Sequence, residues 1–370
     1  MKKIIFFVIL LFALVKVPAF AQSNPQLQAP KQEFLKARVV EIVEQGVKTI
    51  EGYKNYYQTL RIQIEEGTGK NKYSIIENGK DAQITKYQLV SKNQEIIIAK
   101  TIYPKGKIIY SIYDYYRLNS LIIFVIIFFA AVVLIAGLKG LGSISGMIIS
   151  LGIILFYIVP SILKGNDPLT ITLTGSFFIL LITTYLAHGV SKKTTIALFS
   201  TLISLILTAG FAVIAVKLNN ITGLGNEDSF ALSLGPTSII DIRGLFLSGV
   251  IISTLGALND ITTTQSATIF ELKIANPKLK FLALFEKGLA VGKEHIASLV
   301  NTLILAYVGS AFAVFIFFVL NPAHLPYWII LNNEIVSDEV IRIIAGSIGL
   351  LLSVPIVTLL ASYVFSKIKA

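Results

Sequence analysis

A chain of 370 residues that is 54% hydrophobic and only 14% charged, with a mean hydropathy of +0.75, carries more apolar side chain than a soluble core can bury, and reads as an integral membrane protein. It has no cysteine, which excludes disulfides, thiolate metal sites and a cysteine nucleophile. The formal net charge of +11 divides into +3 over positions 1–16, +5 over 22–118 and +3 over the remainder, so it forms no basic stripe and no nucleic-acid partner is expected.

Residues 1–21 have the layout of a secretory signal peptide. Lys2 and Lys3 form a basic start, Ile4 to Val15 is an apolar run too short for a comfortable span, and Ala19-Phe20-Ala21 fits the small-x-small cleavage rule. Cleaved or kept as an anchor, such a segment delivers the next part of the chain to the outside of the cytoplasm.

Residues 33–113 change character. The runs KARVVEIV, YQTLRIQIEE, KNKYSII, QEIIIAK and KIIYSIY alternate with period two and read as strands. Turn signals separate them at Gly67-Thr68-Gly69, Asn78-Gly79, Ser91-Lys92-Asn93 and Pro104-Lys105-Gly106. Five or six short strands in this length predict a small extracytoplasmic all-β domain, an OB-like or SH3-like barrel. Ten of the fifteen tyrosines fall before Arg117; β-propensity and barrel core account for them more simply than an aromatic ligand face. Tyr113-Asp114-Tyr115-Tyr116-Arg117 then joins the barrel to the membrane with residues suited to a headgroup belt.

An α-helical membrane domain is expected over 119–366, with about seven spans at 119–138, 144–163, 169–189, 196–218, 242–260, 298–320 and 340–366. Each is long enough to cross ~30 Å of hydrocarbon at ~1.5 Å per residue. Seven spans from an outside start place the C-terminus in the cytoplasm. Lysines 139, 192, 193, 273, 278, 280, 287, 293, 367 and 369 fall in the expected inner segments, against Lys164, Lys217, Arg243 and Arg342 outside; the excess agrees with that orientation. Residues 260–297 read either as an inner loop with an amphipathic helix or as a re-entrant segment. Glycines at 137, 140, 142 and 146, and at 244, 249 and 256, predict close helix approach. No internal repeat of the inverted-transporter kind is visible.

The stretch Gly256 to Glu271 packs Asn259, Asp260, Thr262, Thr263, Thr264, Gln265 and Ser266 into eight positions at the end of an apolar span. A carboxylate at bilayer depth is costly unless it faces protein, water or an ion. If helical, the stretch sets Gly256, Asp260, Thr264, Ala267 and Glu271 on one face.

The second half of the chain resembles the YibE/F-like family of bacterial membrane proteins. The resemblance rests on Lys164-Gly165-Asn166-Asp167-Pro168, on Asp241-Ile242-Arg243-Gly244-Leu245, and on Leu255-Gly256-Ala257-Leu258-Asn259-Asp260. It continues through Ser266-Ala267, Glu271-Leu272 and Asn276-Pro277 to Val291-Gly292-Lys293-Glu294-His295-Ile296. The run Asn301-Thr302-Leu303-Ile304-Leu305-Ala306-Tyr307-Val308-Gly309 is its most specific part. It covers about residues 110–366. Where the family carries Arg-Asp after the glycine, this chain has Lys293-Glu294, which keeps the charges and loses the bidentate guanidinium. The resemblance implies a multi-pass protein of the bacterial inner membrane and names no substrate or reaction.

Three functional classes are compatible with these features. A transporter or permease for a small solute or ion would line its path with Asn259, Asp260, Thr263, Gln265, Glu271, Asn301 and Tyr307; the bland alternative makes Asp260 a helix cap and Asn301 a helix-packing residue. A scaffold or signalling protein would bind an envelope component through the barrel, or assemble as a homo-oligomer or with a membrane partner. An intramembrane enzyme is disfavoured. Glu294 and His295 are adjacent and diverge on a helix, His188 and His324 sit at span ends or loops, and no HExxH, GxSxG or paired-aspartate pattern occurs. No catalytic residue, cofactor or metal site is therefore expected, and a three- or four-ligand metal set is not visible.

Overall fold

The computed structural model describes residues 31–50, 53–80, 82–103, 107–234, 239–321 and 323–367. The expected signal peptide at 1–21 and the turn at Pro104-Lys105-Gly106 lie outside the described residues. The chain divides near residue 131 into two compact units.

The first unit holds β1 (Lys31–Ile50), β2 (Tyr53–Glu66), β3 (Tyr73–Asn78), β4 (Glu95–Ile102) and β5 (Ile108–Tyr115). They form one antiparallel sheet in the order β3-β2-β1-β4-β5. The long β1 is shared: Val39 pairs with Ile62 of β2, and Ala37 with Ile96 of β4. Register shifts between Lys36 and Ala37, Val39 and Glu41, and Ile42 and Glu44 bend it, as bulges do. The edge strands β3 and β5 consequently come into contact, and the sheet curls into the barrel form anticipated from the strand pattern. Period-two alternation supplies the core, with Leu35, Ala37 and Val39 facing Leu60, Ile62, Ile64, Ile96 and Ile98. The tyrosines divide: Tyr110 and Tyr115 pack on this core, while Tyr73, Tyr87 and Tyr113 are exposed.

The junction at the end of β5 is tied to the barrel itself. The Tyr115 hydroxyl donates to the carbonyls of Tyr87 (2.9 Å) and Leu89 (3.1 Å), and Arg117 pairs with Asp114 at 2.8 Å. Lys36 lies 4.1 Å over the Tyr116 ring. Glu95 and Glu65 are bridged by Arg38, at 2.5 and 2.6 Å.

The described chain continues with ten α-helices: α1 (Leu118–Ile153), α2 (Val159–Leu163), α3 (Pro168–His188), α4 (Lys192–Leu218), α5 (Glu227–Leu234), α6 (Ile242–Ala275), α7 (Phe281–Ser310), α8 (Phe312–Leu320), α9 (Tyr327–Leu331) and α10 (Glu334–Phe365), with a π-helical turn at Ile154–Ile158 joining α1 to α2. Among the described residues seven segments are long and apolar enough to cross a membrane: Leu118–Leu138, Gly140–Leu163, and all of α3, α4, α6, α7 and α10. The division of α1 falls at Gly137, whose φ of 59° and ψ of −138° interrupt the helix. α3 opens on Pro168, with the Asp167 carboxylate accepting from the Thr170 amide at 2.7 Å, and α4 opens on Ser191, whose hydroxyl accepts from the Thr194 amide. These are ordinary N-terminal caps.

Two boundaries differ from the sequence reading. The fifth span was expected to end at 260, but α6 continues to Ala275; the sixth was expected at 298–320, but α7 starts at Phe281 and breaks at Ala311 before α8. The polar run does not stop the helix because its side chains find partners on neighbouring helices. Only Asn276 to Lys280 separates α6 from α7. Buried Lys273 closes that turn, donating to the carbonyls of Pro277 (2.6 Å) and Leu279 (3.0 Å).

The centre of the second unit is α4, α6 and α10 packed on one another, with α3 and α7 also against α6. Leu180, Leu205, Ile251, Leu258, Leu350 and Val354 form its apolar core. Small residues bring the helices close: a Cβ on Gly346 would meet Thr254, and one on Gly349 would collide with Thr208.

Candidate functional site

α6 has 34 residues and thus a length of ~51 Å, well beyond the ~30 Å of a bilayer core. Its start is capped by Asp241, which accepts from the Arg243 amide at 3.1 Å. Along Gly256 to Glu271 it carries two polar faces with different surroundings.

The first face is largely buried and hydrogen-bonded to neighbouring helices. Asn259 Oδ1 accepts from Thr184 Oγ1 of α3 at 2.9 Å. Thr262 shares a hydrogen bond of 2.6 Å with Thr201 of α4. Gln265 Nε2 donates to the Gly288 carbonyl of α7 (2.7 Å) and to Thr358 Oγ1 of α10 (2.9 Å). The Ser266 hydroxyl donates to the Lys193 carbonyl at 2.8 Å. Two helical turns of α6 therefore hold four other helices by hydrogen bonds. Hydroxyls elsewhere in this interior, such as Ser200, Ser204 and Thr208, bond back to carbonyls four residues earlier. Thr262, Gln265, Ser266, Ser204 and Thr358 are all fully buried, so this face is closed to water in the observed packing. Gln265 Oε1 and Ser362 Oγ are buried there without a hydrogen-bond partner.

The second face is open. Thr263, Thr264, Thr268 and Glu271 of α6 line a groove of about 630 Å³ with His188 at the end of α3. Asp260, one turn before Thr264 on the same side, is exposed and within electrostatic reach of His188. The groove thus brings together the Glu271 carboxylate, the His188 imidazole and the Thr264 and Thr268 side chains on a wall that includes Ala267, Leu272 and Ala275; Asp260 lies just outside this lining, and the Thr263 hydroxyl is enclosed without a hydrogen-bond partner. Among the described residues no three His, Asp or Glu side chains converge as metal ligands.

The seven residues expected to line a path are therefore divided. Thr263 and Glu271 are at the open groove, and Asp260 is exposed one turn before Thr264, outside the lining; Asn259 and Gln265 bond to neighbouring helices in the closed interior. Asn301 is exposed on α7, and Tyr307 is half-buried further along the same helix with its hydroxyl unpartnered. His188, which the sequence places only at a span end, joins the groove. Thr184, Thr201 and Thr358 carry no site signal in the sequence beyond the recurrence of Thr201, Ser204 and Thr208 at spacings of three and four along α4. Nothing in the sequence singled out Asp338, whose residue is only 6% exposed.

The profile of the YibE/F-like protein family matches residues 124–367, more than half of the chain and all of the groove and interior described above. The chain belongs to the YibE/F-like family. No curated protein and no solved structure matches it. This YibE/F-like protein is a multi-pass membrane protein, with the family match covering the helical unit from within α1 to the end of α10 and leaving the barrel outside it.

Proposed function

We propose that this YibE/F-like protein is a transporter or permease for a small solute or ion, without an enzymatic step. The observation that supports it is the pair of polar faces on α6: an open groove lined by Glu271 and His188, with exposed Asp260 one turn before Thr264 of that lining, backed by a closed interior of amide and hydroxyl groups. Ionisable groups in a spanning helix mark solute or ion pathways more often than they serve packing. In this reading the groove is the inner mouth and the interior is the shut part of the path. Opening requires α6 to exchange its hydrogen bonds with α3, α4, α7 and α10 for bonds to solute or water. The orientation is that of a bacterial inner-membrane protein with the barrel outside and the C-terminus in the cytoplasm, consistent with the lysine distribution.

The test is solute- and ion-dependent current from proteoliposomes on a solid-supported membrane, screened with inorganic cations, anions and small zwitterions. Asp260→Asn should abolish a current that the wild-type protein gives while leaving its thermal stability in place. Equal currents from wild-type, D260N and empty liposomes across the panel would count against transport.

A second reading has one observation in its favour. The barrel bears a groove of about 680 Å³ lined by Tyr87, Tyr115, Tyr116 and Arg117, with Tyr87 91% exposed. A scaffold that captures an envelope component through this groove would tolerate D260N and lose function when Tyr87 and Tyr116 are replaced by alanine.

A further inference from the structure

α10 begins with Glu334, and this carboxylate is pinned. Its Oε1 accepts from the Thr222 amide (2.7 Å), the Thr222 hydroxyl (2.6 Å) and the Gly223 amide (2.8 Å). The turn after α4 is thereby clasped to the start of α10. Gly223 makes the turn possible, with φ of +80° and no room for a Cβ beside the Ile242 carbonyl.

One helical turn further on, the same face of α10 carries a second carboxylate that is not pinned. Asp338 is 94% buried, and its Oδ1 is enclosed without a hydrogen-bond partner. Gly225 lies against the other oxygen so closely that a Cβ there would collide with Oδ2. An ionised carboxylate in such a place is strongly disfavoured unless a counter-charge or donors compensate it.

The surroundings provide that compensation only in part. On α10, Glu334 and Glu339 are acidic like Asp338 itself. Arg342, one turn beyond, is within electrostatic reach of Asp338 but makes its close contacts with other groups: its Nε is 3.5 Å from Glu339 Oε1 and its guanidinium carbon 5.2 Å from the Phe246 ring centre. Among the described residues no ion pair joins Arg342 to Asp338. The turn presents backbone at Gly225, and Glu227 and Asp228 after it are exposed; α6 brings Asp241 and Arg243, both exposed at its start. No multi-ligand metal set exists among the described residues. A proton on Asp338 removes the charge that this burial disfavours and requires no added space.

We propose that Asp338 is a proton-binding carboxylic acid, and that release of its proton frees the 222–226 turn from α10. Neutral, the acid tolerates the close packing of Gly225. Ionised, it draws water to a buried position and repels Glu334, the group that holds the turn. The proton leaves to solvent at this end of the bundle. This switch is independent of the transport reading, since it lies at the other end of α6 and needs no solute.

Hydrogen exchange of the wild-type protein in lipid nanodiscs, corrected for the intrinsic pH dependence of exchange, tests it. Peptides covering 219–226 should lose protection as pH rises, while peptides from the middle of α10 keep theirs. In D338N, neutral at every pH, the low-pH protection should persist throughout. A pH step should also produce the infrared carbonyl band of a protonated acid in wild-type protein and not in D338N. Protection of 219–226 that is independent of pH in the wild-type protein would overturn the proposal, with no variant needed. So would the same pH-dependent loss in D338N. Protection restored by sodium but not by choline, and absent from D338N, would replace the proton with a bound cation and equally overturn it.

Discussion

Gln265 offers a way to separate packing from polar function. It is fully buried, donates two hydrogen bonds, to Gly288 and Thr358, and leaves Oε1 unpartnered. Gln265→Ala removes both bonds, worth about 0.6 kcal/mol each for helices in membranes, and leaves a cavity of the kind that costs ~2–5 kcal/mol after large-to-alanine changes. Removing the unpartnered carbonyl offsets about 1–3 kcal/mol of this, so a net loss of about 3 kcal/mol is expected. Gln265→Met fills the same volume. It loses the same ~1.2 kcal/mol of bonding but also removes a buried carbonyl whose desolvation costs about 1–3 kcal/mol. Its net effect should lie within ~1 kcal/mol of zero. Titration from mixed micelles into SDS, followed by circular dichroism, measures both. The reasoning fails if Q265M destabilises as much as Q265A, because the hydrogen bonds would then outweigh packing. It also fails if Q265A is tolerated within ~0.5 kcal/mol, because the α6–α7–α10 interface would then not be close-packed. A Q265M protein that is stable yet inactive would assign the amide to function.

Three further outcomes are expected. Gly292→Ala places a Cβ 3.0 Å from Gln265 Nε2 and into the Val354 side chain, and should cost about 1–3 kcal/mol in the same SDS titration. Glu334→Ala leaves three donors unsatisfied and should destabilise by about 2–3 kcal/mol in that assay, whereas Glu334→Gln keeps an acceptor and should cost roughly half as much. In the barrel, hydrogen bonds from Thr68 and then Lys100 hold the Glu33 carboxyl below its ordinary value of 4.5. Because the folded value lies below the unfolded one, Glu33 contributes stability above that pH and loses it as pH falls through the folded value. Hydrogen exchange of β1 and β4 should show acid weakening that is smaller in Glu33→Gln.

The fold was largely legible because its two units obey different periodicities. All five strand runs recur as β1 to β5, since alternating Ile, Val and Leu against polar residues leaves one register that buries them. The helix count was legible from apolar length. The end of the fifth span was not, because hydropathy registers Asn259, Asp260, Gln265 and Ser266 as an exit from the membrane. In the structure Asn259, Gln265 and Ser266 are polar because they bind Thr184, Gly288, Thr358 and Lys193. Pairings 75 to 93 residues apart, such as Thr184 with Asn259 and Gln265 with Thr358, leave no local trace in a single sequence. Asp338 was invisible for a related reason. In a helix start containing Glu334, Asp338 and Glu339 it looks like dipole-complementing surface charge, and only the approach of Gly225 buries it.

The central claim, that the α6 groove is one end of a closed pathway, is tested most directly by thiol labelling of single-cysteine variants at positions 256–271, in a chain with no native cysteine. With a membrane-impermeant reagent added to inside-out vesicles, positions 260, 263, 264, 268 and 271 should label, and 262, 265 and 266 should stay protected until a transported solute is supplied. Labelling that ignores this division, or that never changes at 262, 265 and 266 across the solute panel, would contradict the account.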